Sequence, residues 1–369
     1  MDELFESVPN FSEGRRTDVI DAVAGAVRAR AFLLDTDADP DHNRVVVSLA
    51  GVRSRVLAAL VSAVGEAVER IDMRTHAGVH PRVGAADVVP VVPLGATTLD
   101  ACRELAHELG ESIWEELRVP VYFYGHGSGR RLADIRAGRA TPDVGGPEQH
   151  PTAGAVSVGA RPSLVAFNVI LHDYDLVGAR ALARSIRESG AGLRGVQALA
   201  FQLSAGRVQL SMNLFRLDET APADVIAELR RRNVAMGAEQ VVGLCPAAVA
   251  SPVADGRLLE GRLAAVAASE AAARCAARSD EEHLALAVRL RREAAGLAAL
   301  TTGQDEIVSG AERAVALVAV LRAAGVLDGE LEAMLRVSAQ GLRAALSPAT
   351  EALYELRIEA LERGLRSRS

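Results

Sequence analysis

The sequence predicts an α+β protein: two ferredoxin-like subdomains, each running β-α-β-β-α-β, followed by an all-α C-terminal helical region. Three observations carry this. Apolar residues switch between strand-like runs and helical spacing in the same order twice before about residue 250. A Gly/Pro-rich stretch, TPDVGGPEQHPTAG (141–154), divides the two passes and is too polar and broken for regular structure. From about Asp255 the chain becomes Ala/Leu/Arg-rich and loses its strand signals.

The first pass opens with Leu4–Val8, a short strand ending at Pro9-Asn10. Val19, Ile20, Val23 and Val27 fall at helical spacing and predict a helix over 16–29. AFLLDTD (31–37) and RVVVSLAG (44–51) are strands around ADPDHN, a run of turn-forming residues. Val56, Leu60, Val64 and Val68 mark a second amphipathic helix. ADVVPVVPL (86–94) is a strand-like run that its two prolines push toward a sheet edge or an irregular ending. A helix over 98–118, the strand VPVYFYG (119–125) and a short helix near 129–138 read as additions to this unit.

The second pass repeats the order. SLVAFNVIL (163–171) is a strand, and Leu176, Ala179, Leu182, Ala183 and Ile186 lie on a helix. RGVQALAFQLS (194–204) and GRVQLSMNLF (206–215) are strands joined at Ser-Ala-Gly; a helix through Val225 and Leu229 and the strand GAEQVVGLC (237–245) follow. In the tail, Ser279-Asp280-Glu281-Glu282 reads as a capping box and Ser347-Pro348 as a helix start with proline at its first position. The tail has room for four or five packed helices, the material of a structural or oligomerisation bundle.

Composition narrows the function. Net charge is −7 with no basic block, which disfavours nucleic-acid binding. All 41 basic residues are Arg, a bias that base composition alone explains but that also suits bidentate carboxylate contacts. Cys102, Cys245 and Cys275 are too far apart for a zinc motif or a disulfide framework, which fits a reducing cytoplasm. MDELFESVPNF is acidic and lacks the apolar core of a signal peptide. No apolar run reaches the roughly 20 residues of a membrane span, so no membrane role is expected.

The stretch THAGVHPRVG (75–84) concentrates the candidate chemistry. His76 and His80 are four apart, but Gly78 and Pro81 disfavour a helix there. In an extended chain the two rings stand about 13 Å apart, so shared metal chelation is not expected. His80 titrates naturally near neutral pH and is the candidate general acid/base, with His76 a supporting neighbour and Arg82 an anion contact or loop anchor. LLDTDADPDHNR (33–44) places four aspartates near a strand end; it lacks the glycine and glutamate of a calcium loop, and Asp37 can face a cleft. Asn10 and Ser12 in VPNFSEG (8–14) are either helix caps or, for Asn10, a ligand contact. GGPEQHPTAG (145–154) is either a linker or a backbone-rich clamp over a ligand.

Taken together, VPNFSEG (8–14), LLDTDADPDHNR (33–44), IDMRTHAGVHPRVGAADVVPVVPL (71–94), VPVYFYG (119–125), HPTAGAVSVGARPSLVAFNV (150–169) and QVVGL (240–244) resemble, in that order, the glutamate formimidoyltransferase (formiminotransferase) family. The similarity covers about residues 3–250 and extends to the transferase part of formimidoyltransferase-cyclodeaminase. It implies an N-terminal subdomain over 1–178, a C-terminal subdomain over 179–254 and a helical extension over 255–369, with folate in the channel between the subdomains. It implies transfer of a formimino group from N-formimino-L-glutamate to N5 of tetrahydrofolate, a co-substrate, in histidine degradation, by a cytoplasmic homodimer without a metal. The family's catalytic histidine maps to His80 and its LLDxDA aspartate to Asp37. Its folate loop maps to Gly145–Gly154, hence to Gly145, Gly146, His150, Thr152 and Gly154. Arg44, Arg82 and Arg161 are candidate clamps for substrate carboxylates.

Two features depart from the pattern. No PGGGS-type start follows Ala250, so cyclodeaminase activity is not expected. Ala153 stands where some relatives carry an aromatic residue, which would weaken stacking on folate. Two further classes remain open: a family member using a formyl donor such as 5-formyltetrahydrofolate, and a non-catalytic folate-binding scaffold.

Overall fold

The computed structural model describes residues 3–79 and 81–366, with 360–366 by backbone alone. The chain divides into two compact units. One comprises Glu3–Thr220 with Val225–Gly243, and the other runs from Leu244 onward and includes Ala221–Asp224.

The first unit holds two sheets. The first sheet is built from β1 (Leu4–Ser7), β2 (Asn10–Phe11), β3 (Phe32–Asp39), β4 (Arg44–Val52) and β5 (Ala86–Leu94), with α1 (Thr17–Arg28) and α2 (Arg53–Arg70) between them. β1 and β2 are two halves of one strand position, both antiparallel to β4 on one side and β5 on the other. Across this part the order is β3-β4-β1/β2-β5, the expected β-α-β-β-α-β arrangement. α3 (Leu99–Leu117), β6 (Val121–Gly125), α4 (Leu132–Arg136) and β7 (Val156–Ala160) extend it, with β7 parallel to both β5 and β6.

β5 is therefore interior, not the edge strand its prolines suggested. The break in the neighbouring strand explains why. Ser7 pairs with Val91 and Asn10 with Val88, so Pro90 lies opposite the Val8-Pro9 interruption, where no ladder amide is required. The Ser7 hydroxyl donates instead to the Pro90 carbonyl at 2.5 Å. β7 is the strand that the sequence pattern did not single out; VSVGA is only five residues long and emerges directly from the Gly/Pro-rich loop.

The second sheet contains β8 (Val165–Leu171), β9 (Val196–Gln202), β10 (Val208–Leu214) and β11 (Met236–Val242), in the order β11-β8-β10-β9. With α5 (Leu176–Ile186) and α6 (Pro222–Arg231) it repeats the β-α-β-β-α-β order. The subdomain division expected at 178/179 falls inside α5, whereas the two sheets part between Ala160 and Val165.

Small aliphatic residues fill the main core, as the low aromatic content required. Val45, Val47, Leu49, Val89 and Val91 project from one face of the first sheet onto the helical layer of Val19, Val23, Leu60, Leu105 and Leu109. The opposite face of that sheet is unusually polar and forms the ground of the candidate site.

The second unit is helical: α7 (Leu259–Arg278), α8 (Glu281–Ala298), α9 (Gln304–Ala323), α10 (Gly329–Ala344) and α11 (Pro348–Arg366). Asp280, not Ser279, caps α8, its side chain accepting from the His283 amide; Ser279 adopts a left-handed conformation that ends α7. Pro348 opens α11, with the Ser347 hydroxyl accepting from the Thr350 amide. Glu260 lies buried near the start of α7. Its carboxylate accepts from the Ala247 amide at 2.9 Å, and burial pushes its pKa up to about 7. No helix among the described residues is long and apolar enough to cross a membrane.

Candidate active site

Directly paired strand residues point to the same face of a sheet. The register therefore sets Asp37, Val46, Asn10, Val88, Ser157 and Tyr122 in one row across six strand positions. Asp39 and Arg44 face each other at one end of β3 and β4. Ser48, on the same face of β4 as Val46, is 1% exposed. Asp37 and Asn10, two of the expected site residues, thus share a polar surface with groups the sequence did not connect to them.

Asp37 uses one oxygen to accept the Gly243 amide at 2.9 Å. This ties β3 of the first sheet to the turn after β11 of the second. Two more contacts join the sheets nearby. Asp41 pairs with Arg207 at 2.7 Å, and the His42 ring meets the Phe201 ring edge-on. A polar cleft of about 300 Å³ opens beside them, lined by Asp39, Asp41, Asn168, Arg207, Gln209 and Gln240. Its amides, carboxylates and guanidinium present both hydrogen-bond donors and acceptors.

The segment 72–85 is held on both sides. His80 itself lies outside the described residues. On one side, Asn43 donates to the Ala77 carbonyl at 3.0 Å and accepts the Gly14 amide at 2.9 Å. Arg82 donates to the His42 carbonyl and, at 3.4 Å, to the Ser12 hydroxyl. Ser12 in turn donates to the Gly84 carbonyl at 2.7 Å. On the other side, the Met73 amide donates to Thr152 and the Ala85 amide to Ala153. Gly84 and Gly154 interlock: a Cβ on Gly84 would stand 2.0 Å from the Ala155 carbonyl oxygen, and Gly154 has φ +73°.

The NFSEG motif therefore anchors this segment instead of capping a helix by Asn10 or Ser12. Asn10 turns back to the Val8 carbonyl at 3.1 Å. The amides ahead of α1 are taken by the Glu13 carboxylate, which accepts from Gly14, Arg15 and Arg16.

Electrostatics separate the histidines. Burial, reinforced by Arg82, lowers the His76 pKa to about 4, so its ring is neutral at physiological pH. Asp39 is pushed up by burial, yet hydrogen bonds from the His42 ring and amide hold its carboxyl down at about 2. Arg82 falls to about 10 through burial, partly offset by Asp87, and burial lowers Arg44 as well.

The remaining expected residues divide. His150, Thr152 and Gly154 gather beside the 72–85 segment. His150 Nδ1 accepts the Ala153 amide at 3.0 Å, which assigns its ring proton to Nε2, and this ring shapes the turn. Gly145 and Gly146 begin the same loop at the β6 edge; Val144 bridges Val121, and Gly145 lies against Trp114 and Pro120. Arg161 donates to the Pro162 carbonyl and acts electrostatically on Tyr124. Ala153 is 1% exposed and packed into the main core, so it presents no stacking face to a ligand. No cluster of three or more metal-ligating side chains occurs among the described residues.

Sequence reasoning missed Asp39, His42, Asn43, Asp87, Tyr124 and Arg136. Asp87 is 1% exposed, accepts the Val83 amide at 2.7 Å and pairs with Arg136 at 2.6 Å. A carboxylate inside an apolar strand run, as in ADVVP, was the available signal.

The sequence has known relatives. The family described as "Formiminotransferase domain, N-terminal subdomain" matches residues 4–161. The chain is 36% identical over 282 residues to a glutamate formimidoyltransferase of Streptococcus pyogenes serotype M1, covering 69% of this chain and 93% of that protein. The chain belongs to the formiminotransferase family. A glutamate formimidoyltransferase of Thermoplasma acidophilum is 37% identical over 268 residues, covering 66% of this chain and 88% of the relative. Formimidoyltransferase-cyclodeaminase of Rattus norvegicus is 38% identical over 275 residues, covering 67% of this chain but only 51% of the relative. This formiminotransferase thus spans about half the length of its bifunctional relatives. It is a transferase of formimino groups.

Proposed function

We propose that the protein transfers the formimino group of N-formimino-L-glutamate to N5 of tetrahydrofolate, the co-substrate, with His80 as the proton carrier. The observation that carries this reading is the double anchoring of the 72–85 segment beside the row that includes Asp37 and Asn10. The described residues on either side of position 80 are held from both sides, and a positioned general acid/base is what group transfer between two bound substrates requires.

In this mechanism N5 attacks the formimino carbon and a carbon–nitrogen bond forms. The imidazole of His80 takes the proton leaving N5. The tetrahedral adduct collapses, the bond to the glutamate nitrogen breaks, and the imidazolium returns its proton to that nitrogen. Asp37 faces the cationic formimino nitrogen or orients the imidazole. The polar cleft lined by Asn168, Gln209 and Gln240 together with Asp39, Asp41 and Arg207 receives the folate ring system. The role in histidine degradation, a cytoplasmic location and a homodimer belong to the same reading; a monomer in sedimentation velocity removes the last.

The test is turnover of tetrahydrofolate with formiminoglutamate and, in parallel, with formylglutamate. We expect the N5-substituted product from the first donor and loss of at least about 10³-fold in kcat for His80→Ala, with folate binding retained. Normal turnover by that variant removes His80 from the mechanism, and preference for formylglutamate reassigns the donor.

A further inference from the structure

Outside the cleft just described, the polar face of the first sheet carries a second concentration of charge. Asp87, with both oxygens engaged, sits among Arg44, Arg82 and Arg136, and these groups act on one another electrostatically. Arg161 and Arg136 act on Tyr124. The balance is uneven, since three guanidinium groups, those of Arg44, Arg82 and Arg136, act on the buried Asp87 carboxylate, with Asp37 and Asp39 acting on Arg44 as well. All four arginines, Arg161 included, are half-buried, and surplus positive charge partly withdrawn from water is costly unless something anionic completes it.

The hydrogen-bond inventory points the same way. Arg82 Nε, Arg136 Nε and the Ser157 hydroxyl are buried and find no partner among the described residues, and the buried Tyr124 hydroxyl is met by the Arg161 guanidinium. Tyr124 and Ser157 are 6% and 0% exposed. All four can donate. Arg161, the cation nearest in effect to Tyr124, is itself a donor and leaves the phenol proton unclaimed. A ligand that only accepts, and does so at several oxygens, satisfies this set; a carboxylate does so with two oxygens in a plane that matches a guanidinium.

We propose that Arg44, Arg82, Arg136 and Arg161, with the Tyr124 hydroxyl, form a binding site for the two carboxylates of a glutamate moiety, and that Arg136 is its specificity-determining cation. The choice of glutamate rests on the function proposed above, whereas the need for a polyanionic acceptor rests on the cluster alone. Val88, Tyr122, Ile135 and Ala155 pack together on this face and give the site an apolar wall. Two glutamates are available in that function, the donor's own and the one that ends the folate tail. Both present the same chemistry.

Binding to the full-length protein, measured by calorimetry without turnover, tests the proposal. The probes are glutarate, N-formyl-L-glutamate, 4-aminobenzoyl-L-glutamate, butyrate and inorganic phosphate. Glutarate is expected to bind at least about tenfold tighter than butyrate or phosphate, the worth of one added charge-assisted hydrogen-bond pair. Arg136→Met is expected to weaken glutarate about tenfold or more, with Arg136→Lys recovering part of the loss. Tyr124→Phe removes a single oxygen and leaves the Asp87 pair intact, so it remains informative where Arg136→Met fails to fold; a loss of about three- to tenfold is expected. Loss confined to N-formyl-L-glutamate assigns the site to the donor, and loss confined to 4-aminobenzoyl-L-glutamate assigns it to the folate tail; either supports the proposal. Folded variants that bind glutarate within about twofold of the parent, or phosphate binding as tight as glutarate, overturn it. Glutarate binding that depends on Arg136 in a protein without formimino transfer sinks the function above and keeps this site.

Discussion

The Asp37 carboxylate accepts a 2.9 Å hydrogen bond from the amide of Gly243, 206 residues further along the chain. One side chain therefore serves the join between the two sheets and, in the proposed mechanism, the reaction. The two roles separate by substitution. Asp37→Asn keeps an acceptor for the Gly243 amide, so its thermal stability should stay near that of the parent while kcat/KM falls by about 10²-fold. Asp37→Ala should lose activity and also about 1 kcal/mol of stability. Parent-like kcat/KM for Asp37→Asn would confine Asp37 to the join.

Asp39 gives an acid-side prediction. Its folded pKa, about 2, lies below its ordinary 3.8, so the folded state favours the ionised form. The resulting stabilisation, about 2 kcal/mol, is fully present above pH 4 and is lost as pH falls toward 2. Urea midpoints of the parent and Asp39→Asn should differ at neutral pH and converge near pH 2.

Glu260 has the opposite sign. Burial raises its folded pKa from 4.5 to about 7, so the folded state holds a proton that the unfolded chain has released. Stability of the helical unit should fall as pH rises from 4.5 to 7, by about 3 kcal/mol, then level off. Glu260→Gln keeps an acceptor for the Ala247 amide and should abolish this decline. Amide exchange in α7, followed against pH, reads it directly; an unchanged slope in the variant rules out Glu260 as the source.

One substitution type should have two outcomes. Gly84→Ala drives a methyl into the Ala155 and Ala153 carbonyl oxygens, at 2.0 and 2.4 Å. It should cost about 1–3 kcal/mol or more and lower kcat by displacing the 72–85 segment. A Cβ on Gly25, within α1, meets nothing within 4 Å, so Gly25→Ala should stabilise by about 0.5–1 kcal/mol. Thermal unfolding of both variants checks the contrast.

Much of this architecture was legible in sequence because period and order carry it. Val19, Ile20, Val23 and Val27 announce α1, and the same alternation recurs from Val165 to Val242. What escaped depends on long-range pairing. The place of β5 inside the sheet is set by the Val8-Pro9 break, which no local pattern of 86–94 contains. The 75–84 stretch drew attention through composition. Asp87, Tyr124 and Arg136 did not, since three different elements bring them together and their spacing in sequence means nothing by itself. Loop residues mapped by motif lie in two places: the His150–Gly154 turn reaches the 72–85 segment, whereas Gly145 stands by Trp114.

The contacts of Asp37, Asp41 and His42 with the second sheet all arise from six consecutive residues of the β3–β4 hairpin. Asp39 and Asp41 from the same stretch also line the cleft. In the proposed mechanism, affinity and turnover therefore share one lever arm. A substitution between 37 and 42 will shift KM and kcat together, and laboratory evolution that seeks to retune one without the other will find its freedom elsewhere in the chain.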